Sequence, residues 1–116
     1  MQAPPVSVVE TCPGQEVVVR GRLDVHSVAD ARLLLHRSVD AGSGDLLLHL
    51  AEAEVADATG LGVIVGTHHR AWRAGRRLVL VDVSPRLDRL LRVSRLHRVI
   101  ARSETGGAGT VAPLTA

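Results

Sequence analysis

The run of six residues from Asp57 to Gly62, Asp-Ala-Thr-Gly-Leu-Gly, has the residue types best suited to chemistry in this chain. It follows an apolar stretch typical of a strand and opens an apolar stretch typical of a helix, so Thr59 is expected at a helix start. Unpaired amides and a partial positive charge at a helix N-terminus tolerate a phosphate. The run therefore predicts reversible phosphorylation of Thr59. In the alternative interpretation, which the six residues alone favour, Asp57 or Thr59 caps the helix and the glycines permit close packing.

Other combinations that could carry catalysis or bind a cofactor do not assemble in this sequence. His68 and His69 are adjacent, and neighbouring helical side chains point about 100° apart, so they would not converge on one metal ion. Cys12 is the single cysteine, which excludes an internal disulfide and a cysteine metal site. The sequence has neither of the glycine-rich nucleotide-binding motifs GxGxxG and GxxxxGK[ST]. It also offers no specific serine–histidine–aspartate or paired-carboxylate arrangement. We expect no enzymatic activity, no metal and no cofactor, ATP included.

Charge is divided unevenly along the 116 residues. Residues 1–65 carry four arginines against nine acidic residues, a net charge of −5, and residues 66–116 carry ten arginines against three acidic residues, a net charge of +7. This asymmetry favours a solvated basic surface or a surface that meets an acidic protein. Trp72 is the only residue among Phe, Trp and Tyr, so the aromatic platforms that stack single-stranded nucleic acid are missing. Direct nucleic-acid binding is therefore not expected.

Hydrophobic periodicity and turn residues predict the elements that would position the Asp57–Gly62 run. In chain order they are strands at 6–10 and 16–21, a helix from Ser27 to about Ala41, a strand at 45–50, a helix from about Thr59 to Ala74, a strand at 77–82, a helix opened by Ser84 and Pro85, and an edge strand at 97–101. The second helix is predicted to bury one face, made of Leu61, Val65, His68 and Trp72.

This order of elements favours parallel pairing through right-handed crossovers, with the opening hairpin adding an antiparallel strand. We expect an α/β fold: a single domain in which helices pack on a mixed β-sheet. Ser27, followed by Asp30, predicts a capping box at the first helix. Residues 1–5 are predicted to be an N-terminal extension, 6–102 the domain, and 103–116, rich in Gly, Thr, Ala and Pro, a flexible tail. No signal-peptide pattern and no run of about 20 apolar residues is present, so a cytoplasmic protein without a membrane contact is expected.

With these elements in order, the chain resembles the STAS domain family, and within it the anti-sigma factor antagonists. The resemblance covers about residues 6 to 102. The stretches that carry it are Gly21-Arg22-Leu23-Asp24, Leu47-Leu48-His49-Leu50, Asp57-Ala58-Thr59-Gly60-Leu61-Gly62, Gly75-Arg76-Arg77-Leu78-Val79-Leu80, and Ser84-Pro85 with Leu90-Leu91. It implies the same mixed-sheet fold and a regulatory domain without catalysis, which binds an anti-sigma factor kinase and frees its sigma factor.

The resemblance also implies roles for particular residues. The junction of the family usually reads Asp-Ser-Ser-Gly or Asp-Ser-Thr-Gly, and its second hydroxyl residue, here Thr59, is phosphorylated by a Ser/Thr kinase with a histidine-kinase-like ATPase fold. A metal-dependent Ser/Thr phosphatase restores the form that binds the kinase. The residues implied to contact the partner are Asp24, Asp57, Ala58, Thr59, Gly60, Leu61 and Gly62.

The chain departs from the family pattern at four positions. Ala58 stands where the first hydroxyl of the junction is usual, and Arg22 stands where a Glu is usual. His49 replaces the usual Asp of the central strand, and Arg95 replaces a Gly typical after the third helix. None of these changes removes the phosphate acceptor, although Arg22 lies near a surface that the family uses for its partner.

Several alternatives stay open at this point. One is a STAS-like accessory subunit of a membrane transport ATPase complex, in which Thr59 is a contact that is never modified. Another is a domain that binds a small ligand or nucleic acid through its arginine-rich face. Asp24 is either a partner contact or a residue of an Asx-type turn or helix entry.

Overall fold

The computed structural model describes residues 6–104, which form five strands, three helices and one 3-10 turn. The strands are β1 (Val6–Cys12), β2 (Glu16–Leu23), β3 (Asp45–Val55), β4 (Arg77–Val81) and β5 (Ala101–Ser103); the helices are α1 (Val28–Ala41), α2 (Ala58–Arg73) and α3 (Pro85–Val93); the 3-10 turn is Leu96–Arg98. The predicted extension at 1–5 and residues 105–116 of the predicted tail lie outside the described residues.

The strands form one sheet in the order β1-β2-β3-β4-β5. β1 pairs antiparallel with β2 as a hairpin, and the other three pairs are parallel. Parallel neighbours need a crossover connection, and here α1, α2 and α3 supply it. α1 packs on β1 and β2, while α2 packs on β3 and β4 and against α1. The predicted mixed sheet with helices packed on it is confirmed. Its parallel strands bring the C-terminal ends of β2, β3 and β4 to one edge, called here the carboxyl edge.

The core is aliphatic, as a chain with one aromatic residue requires. In the first half of β3, alternate residues Leu46, Leu48 and Leu50 are buried, because successive side chains of a strand point to opposite faces. β4 is buried at every position from Leu78 to Val81, the pattern expected of a central parallel strand. Each such side chain contributes about 1.5–3 kcal/mol when fully buried, so packing fixes the positions of the strand ends.

β1 and β2 each end two residues later than predicted, and the predicted bounds of two further strands are wrong by more. β3 continues to Val55, where a connection was expected after Leu50, because its second half pairs with β2 up to Leu23 and extends past β4. The last strand is Ala101–Ser103 instead of 97–101, since the preceding residues close a 3-10 turn. The greater length of β3 matters for function, because it brings Asp57 almost directly after a paired strand.

The predicted buried face of α2 is also wrong in one respect. Trp72 is 73 % exposed. The buried residues of α2 are Gly60, Leu61, Val63, Ile64, Thr67, His68 and Ala71. Thr67 fits among them because its hydroxyl donates to the carbonyl oxygen of Val63 at 2.8 Å, which satisfies the polar group inside the helix itself. The apolar stripe is therefore centred away from the side of the helix that carries Trp72.

Arg76, which sequence reasoning assigned to a basic surface, is 4 % exposed. Its guanidinium donates to carbonyl oxygens of Gly44 (2.9 Å), Ser38 (3.0 Å) and Val39 (2.8 Å), and also of Gly14. Burial lowers the pKa of Arg76, and the hydrogen bonds compensate for the loss of water around the guanidinium. One side chain thus ties the β1–β2 turn to the end of α1 and the loop before β3, at the edge where the parallel strands begin, called here the amino edge.

Candidate functional site

The Asp57–Gly62 run lies at the carboxyl edge, where α2 begins against the end of β2. Leu23, the last residue of β2, pairs with Val55 at the end of β3. Gly60 packs on this pair so closely that a Cβ there would lie 2.8 Å from the carbonyl oxygen of Leu23 and 3.1 Å from Cγ1 of Val55. Only glycine fits at this contact, so the start of α2 is held against the loop that leaves β2.

Asp57 is the N-cap of α2. Its backbone is extended (φ −149°), and its Oδ1 accepts hydrogen bonds from the amides of Thr59 (3.0 Å) and Gly60 (3.2 Å). Its carbonyl oxygen accepts the first intrahelical bond from the amide of Leu61 at 3.1 Å. The interpretation of Asp57 as a helix cap is confirmed, and a carboxylate at this position also interacts favourably with the helix dipole.

Thr59 is exposed, in the first turn of α2. Its side chain is therefore within reach of another macromolecule. The amide of Thr59 is already bonded to the Asp57 carboxylate, so a phosphoryl group on Thr59 would lie next to a negative charge and would not find that amide free. The dipole of α2 would favour a dianion at Thr59, whereas the capping carboxylate of Asp57 would oppose it.

The other predicted contact residues of the run differ in what they present to solvent. Ala58 and Gly62 are exposed beside Thr59. Leu61 is 9 % exposed and belongs to the hydrophobic core, and Gly60 is buried against the strand ends. The exposed surface of the run thus consists of Asp57, Ala58, Thr59 and Gly62.

Asp24 lies in the loop between β2 and α1, at the same edge of the sheet. Its Oδ1 accepts from the amide of His26 at 2.9 Å, an Asx turn. Its amide donates to Oγ of Ser27 at 3.1 Å, and that hydroxyl donates to the carbonyl oxygen of Arg22 at 2.8 Å. The turn interpretation of Asp24 is confirmed. The predicted capping box is wrong, because Ser27 is buried and uses its hydroxyl to close the loop instead of capping α1.

Two features of this edge were missed in the sequence. Val25, next to Asp24, is 72 % exposed and gives the loop an apolar tip. Arg86, in the first turn of α3, places Nη1 3.9 Å from Oε2 of Glu54 near the end of β3. The exposure of Val25 could have been predicted, because it is an apolar residue that stands between turn residues. The contact between Arg86 and Glu54 could not have been predicted from a local pattern, because the two residues are distant in sequence.

Two of the departures from the family pattern, Arg95 and His49, lie outside both the Asp57–Gly62 run and the loop after β2. Arg95 has φ +63°, a left-handed conformation in which glycine carries no side-chain penalty. His49 places Nε2 2.8 Å from Oε1 of Glu16 on the neighbouring strand. Neither residue contacts the Asp57–Gly62 run through a hydrogen bond or ion pair between described residues.

Among residues 6–104, no group of three or more His, Cys, Asp or Glu side chains lies close enough to hold a metal ion. His68 and His69 have ring centroids 5.6 Å apart with planes tilted by 47°. Burial lowers the pKa of His68, with a smaller effect from His69. No helix within the same residues is both long and apolar enough to cross a membrane.

The fold and this edge define a small α/β domain with an exposed hydroxyl on a capped helix start. A family model, the STAS domain, matches residues 8–108. The anti-sigma-B factor antagonist of Staphylococcus epidermidis is 35% identical over 89 residues, 77% of this chain and 82% of that protein. The chain belongs to the STAS domain family.

Solved structures show the same fold. An anti-sigma factor antagonist from Mycobacterium paratuberculosis has a TM-score of 0.72 at 18% identity, over 88% of this chain and 89% of that chain. The Bacillus cell fate determinant SpoIIAA in its phosphorylated form has a TM-score of 0.66 at 20% identity, over 89% of this chain and 95% of that chain.

Proposed function

We propose that this protein is an anti-sigma factor antagonist: a non-catalytic domain that binds an anti-sigma factor kinase, frees its sigma factor, and is switched off by phosphorylation of Thr59. The observation that carries the proposal is the exposed Thr59 on a helix start capped by Asp57. Relatives at about one-third identity named anti-sigma-B factor antagonists support the same function.

The switch in this proposal acts on binding and leaves the fold intact. Thr59 is not part of the core, so a phosphate on it displaces no packed side chain. Phosphorylation adds roughly −1.5 to −2 charges, and the Asp57 carboxylate lies next to the modified residue. Docking would then require burial of a dianion beside a carboxylate. A loss of about 3 kcal/mol of binding free energy corresponds to more than a hundredfold in affinity.

Competing hydroxyls near the carboxyl edge and on α3 are engaged in the fold. Oγ of Ser84 accepts from the amide of Leu87 at 3.1 Å as the cap of α3. Oγ of Ser94 donates to the carbonyl oxygen of Leu90 at 2.7 Å. A kinase would have to break these bonds to use either serine, which supports Thr59 as the acceptor.

The direct test is phosphosite mapping. The protein is incubated with ATP and the anti-sigma kinase encoded in the same genome, and the modified residue is identified by mass spectrometry. We expect phosphate on Thr59 and none on a Thr59→Val variant. Phosphate on Ser84 or Ser94, with Thr59 unmodified, would contradict the proposed switch.

Binding provides the second test, with a matched pair of variants. Thr59→Glu introduces a negative charge at the acceptor and should weaken kinase binding at least tenfold, measured by calorimetry, whereas Thr59→Val keeps the shape and should retain binding. Full affinity of Thr59→Glu would count against the proposal. Recovery of a transporter ATPase instead of a kinase in a pull-down would favour an accessory subunit of a transport complex.

A further inference from the structure

The two outermost strands of the sheet differ in how they are protected from other chains. β5 has only three residues, and its Arg102 is paired with Asp88 at 2.6 Å. β1 has seven residues and, within residues 6–104, pairs with β2 alone. Glu10 is the charged residue of β1, and its carboxylate accepts a hydrogen bond from the amide of Gly14 in the hairpin turn at 2.8 Å. β1 thus lacks the short length, the lysine and the proline that commonly keep an outer strand from pairing with another chain.

Apolar side chains line the groove between β1 and α1. Val6 and Val8 form one wall and are partly buried against the core. Leu33 and Leu34 of α1 form the other wall and are 54 % and 39 % exposed. Val9 points to the opposite face of the sheet, because successive side chains of a strand alternate, and it is 44 % exposed. The outer side of β1 therefore has exposed apolar area on both faces of the sheet.

Two opposite charges flank the leucines of α1. Asp30 stands three positions before Leu33, and Arg37 stands three positions after Leu34, so these residues lie along one side of the helix. Asp30 and Arg37 are exposed, and neither forms an ion pair within residues 6–104. This arrangement is self-complementary: in two antiparallel copies of α1 with the leucines at the centre, each Asp30 meets Arg37 of the other copy.

The dimensions of the fold allow the strands and the helices to pair at the same time. β1 and α1 both run opposite to β2, so a two-fold axis that makes two β1 strands antiparallel also makes two α1 helices antiparallel. Paired strands lie about 4.8 Å apart. Since α1 packs on both β1 and β2, its axis would lie about 5 Å from the two-fold axis, and the two copies of α1 would lie about 10 Å apart, which is within the usual range for packed helices.

We propose that this protein forms a symmetric dimer in which two β1 strands pair antiparallel into one continuous sheet and Leu33 and Leu34 pack across the two-fold axis. A second copy fits this surface better than an extended peptide from another protein. A peptide would pair with the strand but would leave Asp30 and Arg37 without partners. Thr59 begins α2, which packs on β3 and β4, so it stays exposed in the dimer. This inference does not rest on the proposed function.

Charge reversal provides the sharpest test. The molecular mass is measured by sedimentation equilibrium over a range of concentrations, with a reductant present because Cys12 is exposed. Asp30→Arg alone and Arg37→Asp alone each bring like charges together and should weaken dimerisation at least tenfold. An equal mixture of these two variants should form mixed dimers, because opposite charges meet again in both pairs. Arg73→Asp, the same change at an exposed position of α2, should dimerise as the wild type does.

A second pair of variants tests the apolar contact. Leu33→Glu places a charge at the centre of the interface and should give a monomer, whereas Val93→Glu, at an exposed position of α3, should not. Circular dichroism and urea unfolding of each variant establish that it is folded.

Four results would overturn the dimer. They are a wild-type protein that is monomeric at every concentration, a dimer that Leu33→Glu leaves intact, single charge reversals that weaken dimerisation without recovery in the mixture, and equal weakening by Arg73→Asp. If the wild type is monomeric and Leu33→Glu weakens binding of the kinase, the surface belongs to the kinase instead of a second copy.

Discussion

The two edges of the sheet are built differently. At the amino edge, the buried guanidinium of Arg76 bonds carbonyl oxygens from three separate loops and helix ends. At the carboxyl edge, the carboxylates of Asp57 and Asp24 interact only with groups close to them in sequence, which for Asp24 include the guanidinium of Arg22 at 3.9 Å, and Thr59 is exposed. Hydrogen bonds between distant segments thus stabilise the amino edge. The hydrogen bonds of the carboxyl edge are mostly local, and its long-range contacts are the packing of Gly60 on Leu23 and the Arg86–Glu54 pair at 3.9 Å. The comparison teaches that stability and recognition can be altered separately in this domain.

The strongest way to break this comparison is to remove Arg76. Arg76→Ala would leave several buried carbonyl oxygens without donors, so we expect the free energy of unfolding to fall by about 3 kcal/mol or more. Urea denaturation followed by circular dichroism measures the change. Arg73→Ala, at an exposed position three residues earlier at the end of α2, should cost less than about 0.5 kcal/mol. A loss below about 1 kcal/mol for Arg76→Ala would show that the amino edge does not depend on this side chain.

A smaller effect is expected at the carboxyl edge, where two glycines of one motif form a matched pair. Gly60→Ala forces a Cβ against the carbonyl oxygen of Leu23 and should destabilise the domain by about 1–3 kcal/mol. Nothing lies within 4 Å of a Cβ at Gly62, so Gly62→Ala should stabilise α2, by up to about 1 kcal/mol. Thermal and urea unfolding of the two variants measure whether each substitution raises or lowers the free energy of unfolding. Equal effects would mean that close packing does not set the position of the helix start.

The smallest expected effect is a dependence of stability on pH, which arises where α1 packs against α2 between the two edges. Nε2 of His36 is buried without a hydrogen-bond partner among the described residues. Burial lowers its pKa, as do Arg70 from α2 and Arg32 from α1, while Asp40 opposes them. A lowered folded-state pKa favours the neutral ring, so its contribution to stability is complete above the unfolded value of about 6.5 and is lost as the pH falls below it.

Unfolding free energies between pH 7.5 and 5 test this sign. We expect stability to decrease as the pH falls, and His36→Gln to make the decrease shallower. The carboxylates of Asp40 and Asp88, whose pKa values are lowered by their arginine partners, titrate below this window. An unchanged slope in His36→Gln would rule out His36 as its source.

Local patterns in the sequence were sufficient for most of the fold. The dense apolar run around Leu48 and the turn residues Ser84 and Pro85 predicted elements close to those observed, because their signals are contained in neighbouring residues. The second half of β3 was missed because Glu52 and Glu54 interrupt the apolar pattern where only β2 pairs with the strand.

The site shows the same limit. Asp57 as a cap follows from the residue type and its position before an apolar helix. The burial of Arg76 could not be predicted in this way, because the carbonyl oxygens that it binds are spread from Gly14 to Gly44 in the sequence. A local pattern predicts that an arginine after a glycine is exposed. The close contact of Gly60 with Leu23 likewise depends on how two distant segments meet.

The cap formed by Asp57 has a consequence for timing. Its carboxylate already holds the amides of Thr59 and Gly60 in the unmodified protein, so the helix start is preassembled before any enzyme arrives. Under the proposed function, a kinase and a phosphatase would act on the same capped helix start, with no refolding step between the two states. The speed of a response would then be set by the enzymes and by dissociation of the partner.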